Sequence, residues 1–314
     1  MKIEMTLAET SIRESTDRNY IKGFALVFFT GTIWSFGALI VRYMVEAQTY
    51  QWHYLFYRGM MVTVVLLIFL MAREGVAFLS KFKRIGLSGF FGACGLVAAF
   101  SGFIWSITLT TAANTLFMLA VTPFIAAILG IVFLREKIRS VTWAAMVIAL
   151  VGVLVMVVEG LETGNILGIL IALVSTVGFA VFSVSLRWRK ETPQFTTVAL
   201  AGVLCVLFTL VILFFHNETL TMPLRNVYLS MLHGFILSVG LISFSFGAKY
   251  LPAAELTLLS LIEVVGGVLW VYLPVFGIHE VPSMLTVVGG ITVLCAIVLD
   301  GVGVRHQRRM IGMT

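Results

Sequence analysis

The chain has 314 residues, 60% of them hydrophobic and only 11% charged, with a mean hydropathy of +1.05. A soluble domain is about half apolar and about a quarter charged, so this composition excludes one and points to a protein of the bilayer. The formal net charge of +6 does not indicate nucleic acid, because the basic residues fall in short clusters between apolar runs and not on one face. Cys94, Cys205 and Cys295 each lie in a different apolar run, with neither disulfide nor metal-ligand spacing. The first 20 residues are polar and mix both signs of charge, which fits no cleavable signal peptide; the first apolar run is expected to do the targeting.

A helix needs about 20 apolar residues to cross the hydrocarbon core. The runs and their breaks predict ten spans, at 21–45, 51–72, 85–107, 112–134, 141–158, 165–187, 195–215, 227–249, 253–276 and 283–303. In the first, Trp34 is a candidate for stacking on a substrate, and Arg42 closes one end as an interface anchor. In the second, Arg58 sits about two turns in, where it either snorkels to the interface or forks onto a substrate carboxylate or phosphate. The boundary between the third and fourth spans rests on Thr108 to Thr111 alone.

The fourth span carries Asn114, Thr122 and Pro123, and proline removes a rung of the hydrogen-bond ladder, so Pro123 is the expected kink and a candidate hinge. The ninth holds Glu255 and Glu263, eight residues apart and so about 80° apart around a helix. An ionisable group inside a span is expensive and is a functional hypothesis by default. Glu263, near mid-span, either binds a proton or a substrate amine or makes a structural hydrogen bond; Glu255 lies nearer the end. Tyr57, Trp105, Phe179 and Trp270 are further stacking candidates, with ordinary packing or an interface belt as the simpler role.

One unit is spelled twice. Gly23, Phe24 and Arg42 recur 145 positions on as Gly168, Ile169 and Arg187, and Arg135-Glu136 recurs 144 on as His279-Glu280. At a shift of 141, Ala112-Ala113 meets Ala253-Ala254, Asn114 meets Glu255, and Thr122 meets Glu263. An odd number of spans per unit turns the second copy upside down, which is the architecture of secondary transporters. Arg58 has Ala201 as its mate, so the cation is not a requirement of the repeat. The ten-span reading puts 18 of the 21 Lys and Arg residues on one face, so both termini are expected in the cytoplasm.

With these residues the chain resembles the drug/metabolite transporter superfamily, and within it the EamA-type family. The resemblance covers 20–303 and rests on Trp34-Ser35 and Arg42, Arg58, Ala112-Ala113 through Pro123 to Arg135-Glu136, and Lys249-Tyr250-Leu251-Pro252-Ala253-Ala254 through Glu263 to His279-Glu280. It implies an all-α polytopic membrane protein of ten helices in two inverted five-helix repeats, 21–158 and 165–303, between cytoplasmic tails at 1–20 and 304–314. It also implies a central cavity and, commonly, export of amino acids or other small metabolites. One departure stands out: the family often has proline straight after the mid-helix acid of the ninth span, whereas Val264 follows Glu263 here, which argues against a bend there.

The expected function is secondary active transport of small polar metabolites by alternating access in the bacterial inner membrane. Candidate substrate contacts are Arg58, Glu255, Glu263, Asn114, Thr122 and Trp34, with Glu263 the candidate for proton coupling. No cofactor, metal or nucleic acid is expected; the partners are a small-molecule substrate and the lipid bilayer, with coupling to protons or to a second solute and a homo-oligomer both compatible. An uptake carrier for an amine or carboxylate and a passive channel remain alternatives. A membrane-embedded enzyme has less support, because the five histidines form no paired ligand motif and no nucleophile elbow is present.

Overall fold

The computed structural model describes residues 2–110, 112–157, 166–189, 191–276 and 284–311, and among these it is helical with no strand. The first half contains α1 (Lys2–Trp34), α2 (Phe36–Arg42), α3 (Gln51–Glu74), α4 (Phe78–Phe82), α5 (Gly86–Leu109), α6 (Ala112–Leu119), α7 (Thr122–Leu134) and α8 (Ser140–Val157). The second contains α9 (Ile166–Trp188), α10 (Gln194–Phe215), α11 (Leu224–Gly247), α12 (Ala253–Ser260), α13 (Ile262–Tyr272) and α14 (Met284–Ile311). Helix is the expected outcome for apolar segments in hydrocarbon, where each backbone N–H and C=O must find its partner within the chain. Among the described residues six helical stretches are long and apolar enough to cross a bilayer, the longest being Gln51–Phe82. Exposed apolar side chains such as Phe28, Phe90, Val132, Phe214 and Val298 clothe the outside of the bundle, as in an integral multi-pass membrane protein.

Two sequence expectations are refined. The polar tail before the first span is helical, since α1 starts at Lys2 and runs into the apolar run without interruption. The first span itself is broken at Ser35, whose hydroxyl donates to the Thr32 carbonyl at 2.6 Å, and its helix ends at Arg42.

The two halves interlock. Their main contacts pair α5 with α9, α1 with α11, α3 with α10 and α11, α5 with α10, α7 with α9 and α12, and α8 with α14. Glycines set the closest of these approaches. A Cβ on Gly95 would lie 2.7 Å from the Gly178 carbonyl oxygen, and one on Gly102 would lie 2.6 Å from the Ser175 amide nitrogen, so α5 and α9 touch backbone to backbone. Close approach of small-residue faces supplies the dispersion that holds helices together where water cannot. The bundle has a basic end, where the C-termini of α3, α9 and α11 bring Arg73, Arg187 and Lys249 together around one recess. At the opposite end Asn226, in the first turn of α11, brackets Val45 with two hydrogen bonds of 3.0 and 2.8 Å.

Gly102→Val is expected to lower the melting temperature in detergent by roughly 5 °C, because a backbone neighbour has no side chain to move aside. Gly290→Ala, whose new Cβ finds its nearest neighbour at 3.8 Å, is the control and melts like the parent.

Candidate functional site

Two helices are interrupted at matched places in the two halves. The fourth expected span divides into α6 and α7 around Ala120-Val121, with Pro123 in the first turn of α7, and the ninth divides into α12 and α13 at Leu261. A proline explains the first break. The second forms without one, so Val264 does not prevent a bend, contrary to the expectation from the family's usual proline. The chain crosses both interruptions with tight bonds, Val121 N–H to Met118 at 3.1 Å and Leu261 N–H to Leu258 at 3.1 Å. Thr122 and Glu263, mates in the repeat, thus each occupy the first turn of a half-helix, where the aligned peptide dipoles leave a partial positive charge.

Both face one cavity of about 90 Å³ between the halves, lined also by Trp34, Arg58, Phe100, Phe179 and His233. That volume is well below the roughly 300 Å³ at which ligand pockets begin. Trp34 is fixed from three sides. Its indole N–H donates to the Leu237 carbonyl at 3.3 Å, and its ring lies 5.6 Å from Phe179 and 5.7 Å from Phe244. Gly240 leaves room for it, because any Cβ there would overlap the indole nitrogen.

Arg58 does not snorkel. It is 2% exposed, donates one hydrogen bond from Nη2 to the Phe100 carbonyl at 3.0 Å, and holds its guanidinium 5.0 Å from the centre of the Phe100 ring. Its Nε has no partner, and among the described residues no carboxylate forms an ion pair with it. Guanidinium carries five donors, so this side chain is unsaturated and faces a cavity, the arrangement expected of a group that waits for an anion. One turn earlier Tyr54, fully buried, bonds through its hydroxyl to His233 Nδ1 at 2.8 Å.

His233 escaped the sequence reading, which tested histidines only for metal spacing. The available signal was its place inside an apolar run, where any ionisable side chain is notable. Glu255 is the clearest correction. It is not among the residues lining the cavity: it is 2% exposed and accepts from Arg139 Nη1 at 3.3 Å near the basic end, and the break at Leu261 separates it from Glu263. The side chain of Asn114 lies outside the described residues.

Arg187 is likewise more than an interface anchor. Arg135 adopts a left-handed conformation (φ 54°) as the C-cap of α7, which turns Glu136 back towards the bundle. Glu136 Oε1 accepts from Arg187 Nε at 2.7 Å and Oε2 from the Ala253 N–H at 3.2 Å. Arg187 Nη1 donates to the carbonyls of Ala248, at 2.7 Å, and Leu251. One ion pair therefore ties together the basic ends of α7, α9, α11 and α12. Arg42, its repeat mate, is exposed in the last turn of α2, and the mate of Glu136, Glu280, lies outside the described residues.

Comparison with known proteins places this geometry. Residues 21–158 match the model of the EamA-like transporter family, of the drug/metabolite transporter superfamily. A solved crystal structure shares the fold over 91% of this chain and 98% of its own, with a TM-score of 0.74 at 16% identity, so the common architecture extends through both halves. No curated protein matches the chain.

Arg58→Met is expected to melt no lower than the parent, because a buried cation without a carboxylate contributes little to stability and an apolar isostere packs as well. Differential scanning fluorimetry of the purified variant checks this.

Proposed function

We propose that the protein is a secondary active transporter of small polar metabolites that works by alternating access, and that it exports amino acids or related compounds. The observation that carries the reading is the pair of half-helices whose first turns, at Thr122 and Glu263, meet the unpaired Arg58 in one cavity between the halves. Broken helices at corresponding positions are the structural mark of a transporter's binding site, and a cavity with one cation and one acid suits a zwitterion. Trp34 and Phe179 offer the rest of the substrate an apolar, aromatic wall.

Ten spans in two inverted repeats remain the architecture we infer. Exchange of the halves maps the contact of α5 with α9 onto that of α1 with α11, α3 with α11 onto α5 with α10, and α7 with α9 onto α1 with α13, while α3 with α10 and α8 with α14 map onto themselves; α7 with α12, whose mate would be α6 with α13, is the exception. That correspondence supports a pseudo-twofold axis. The gathering of Arg73, Arg187 and Lys249 at one end supports a cytoplasmic assignment for that end and for both termini, in a bacterial inner membrane. On this reading the Glu136–Arg187 pair closes the cytoplasmic side, and Glu263 carries the coupling proton.

The test is counterflow in proteoliposomes loaded with a mixed pool of amino acids, polyamines and carboxylates, repeated across pH. Saturable exchange of one class is expected, and failure to exchange any class, with protein shown to be folded, overturns the reading. Arg58→Ala should reduce uptake by about 10- to 100-fold, since it removes a charge-assisted hydrogen bond from a dry site. Glu263→Gln should retain counterflow and lose stimulation by a proton gradient; a variant that keeps that stimulation removes Glu263 from proton coupling.

A further inference from the structure

A second, larger recess of about 480 Å³ opens at the basic end, along the seam between α3 of the first half and α9, α10 and α11 of the second. Its volume lies within the range of ligand sites, roughly 300–1,000 Å³. Five cations line it, Arg73, Lys81, Arg187, Arg189 and Lys249, against one acid, Glu74. Two of the five are already neutralised, Lys81 by Glu74 at 2.7 Å and Arg187 by Glu136 at 2.7 Å. Arg73, Arg189 and Lys249 form no ion pair among the described residues.

Aromatic faces hold two of these three instead. The Arg73 guanidinium lies 5.1 Å from the centre of Phe195 and 5.2 Å from that of Phe246, and the Lys249 ammonium lies 5.8 and 5.6 Å from the same two rings. A ring attracts a cation without cancelling its charge, so two like charges share one platform and repel each other across it. A further donor waits at the same place: Thr196 lines the recess, is 1% exposed, and its hydroxyl has no hydrogen-bond partner. An anion between the cations would relieve the repulsion and take that hydroxyl's bond.

We propose that this recess binds a phosphate group through Arg73, Arg189, Lys249 and Thr196. Guanidinium matches the geometry of phosphate oxygens, and lysine supplies a mobile point charge beside it. The group can arrive on an anionic lipid headgroup, since basic pockets between helices at a membrane face take such headgroups, or on a soluble phosphate ester. The site is separate from the central cavity and stands whether or not the transport reading does.

Full-chain protein in detergent, offered equal amounts of phosphatidylcholine and phosphatidylglycerol, should retain the phosphatidylglycerol in native mass spectrometry. Arg73→Gln combined with Lys249→Gln should weaken that retention about 25-fold, about fivefold for each cation removed, while Lys83→Gln with Arg84→Gln, on the exposed loop nearby, leaves it unchanged. In delipidated protein, glycerol phosphate should raise the melting temperature of the parent where glycerol does not, and should fail to raise that of the double variant. A response to lipid alone assigns a headgroup, and a response to the ester alone assigns a soluble ligand. No response to either, in folded protein, overturns the proposal. Should the double variant not fold, the parent decides: retention of phosphatidylglycerol must fall as sodium chloride is raised, and retention that ignores salt overturns the proposal.

Discussion

Hydrocarbon supplies no hydrogen-bond partner, and this constraint governs the rest of the molecule. A backbone that must satisfy itself folds as helix from end to end, and any interruption is tolerated only where protein or a polar cavity covers it. The breaks at Ala120-Val121 and Leu261 obey that rule, since Thr122 and Glu263 beside them line the cavity between the two halves. The interruptions and the cavity thus coincide, with a polar residue just after each break on the cavity wall.

The same constraint explains why Arg58 is informative. A guanidinium taken out of water costs several kcal/mol unless it is paired. Here it keeps one backbone carbonyl and one aromatic ring, with Nε unused. Two cations near the basic end do have carboxylate partners: Arg187 with Glu136 and Arg139 with Glu255. The contrast separates two kinds of charge. Paired groups such as Glu136 and Arg187 hold helix termini together, whereas the cation in the cavity has no carboxylate partner among the described residues.

Glu136 and Arg187 also show how local backbone chemistry reaches across the bundle. A left-handed residue, Arg135, ends α7 and redirects the next side chain onto α9 and onto the first N–H of α12. One carboxylate thereby joins elements from both halves, and the ends of α9 and α11 share its partner Arg187 through the Ala248 and Leu251 carbonyls. Any motion that separates the halves at this end must break that pair.

The sequence by itself determined that the chain is an integral membrane protein, that it is helical, and that Thr122 and Glu263 stand at corresponding positions in two runs that read alike. Those properties follow from composition, from run length and from self-similarity, each of which is local or periodic. It did not determine which polar side chains meet. Glu255 and Glu263 share a broad face on an unbroken helix, but the turn at Leu261 sends one to an arginine at the basic end and the other to the cavity. His233 joins Tyr54 across 179 positions, and Arg187 finds Glu136 across 51, pairings set by how α3 lies on α11 and α7 on α9. The physical reason is that partition into the bilayer depends on each segment's own free energy of transfer, whereas the cavity, the ion pairs and the basic recess depend on the packing of helices against one another, which glycines such as Gly102 and Gly178 decide one contact at a time.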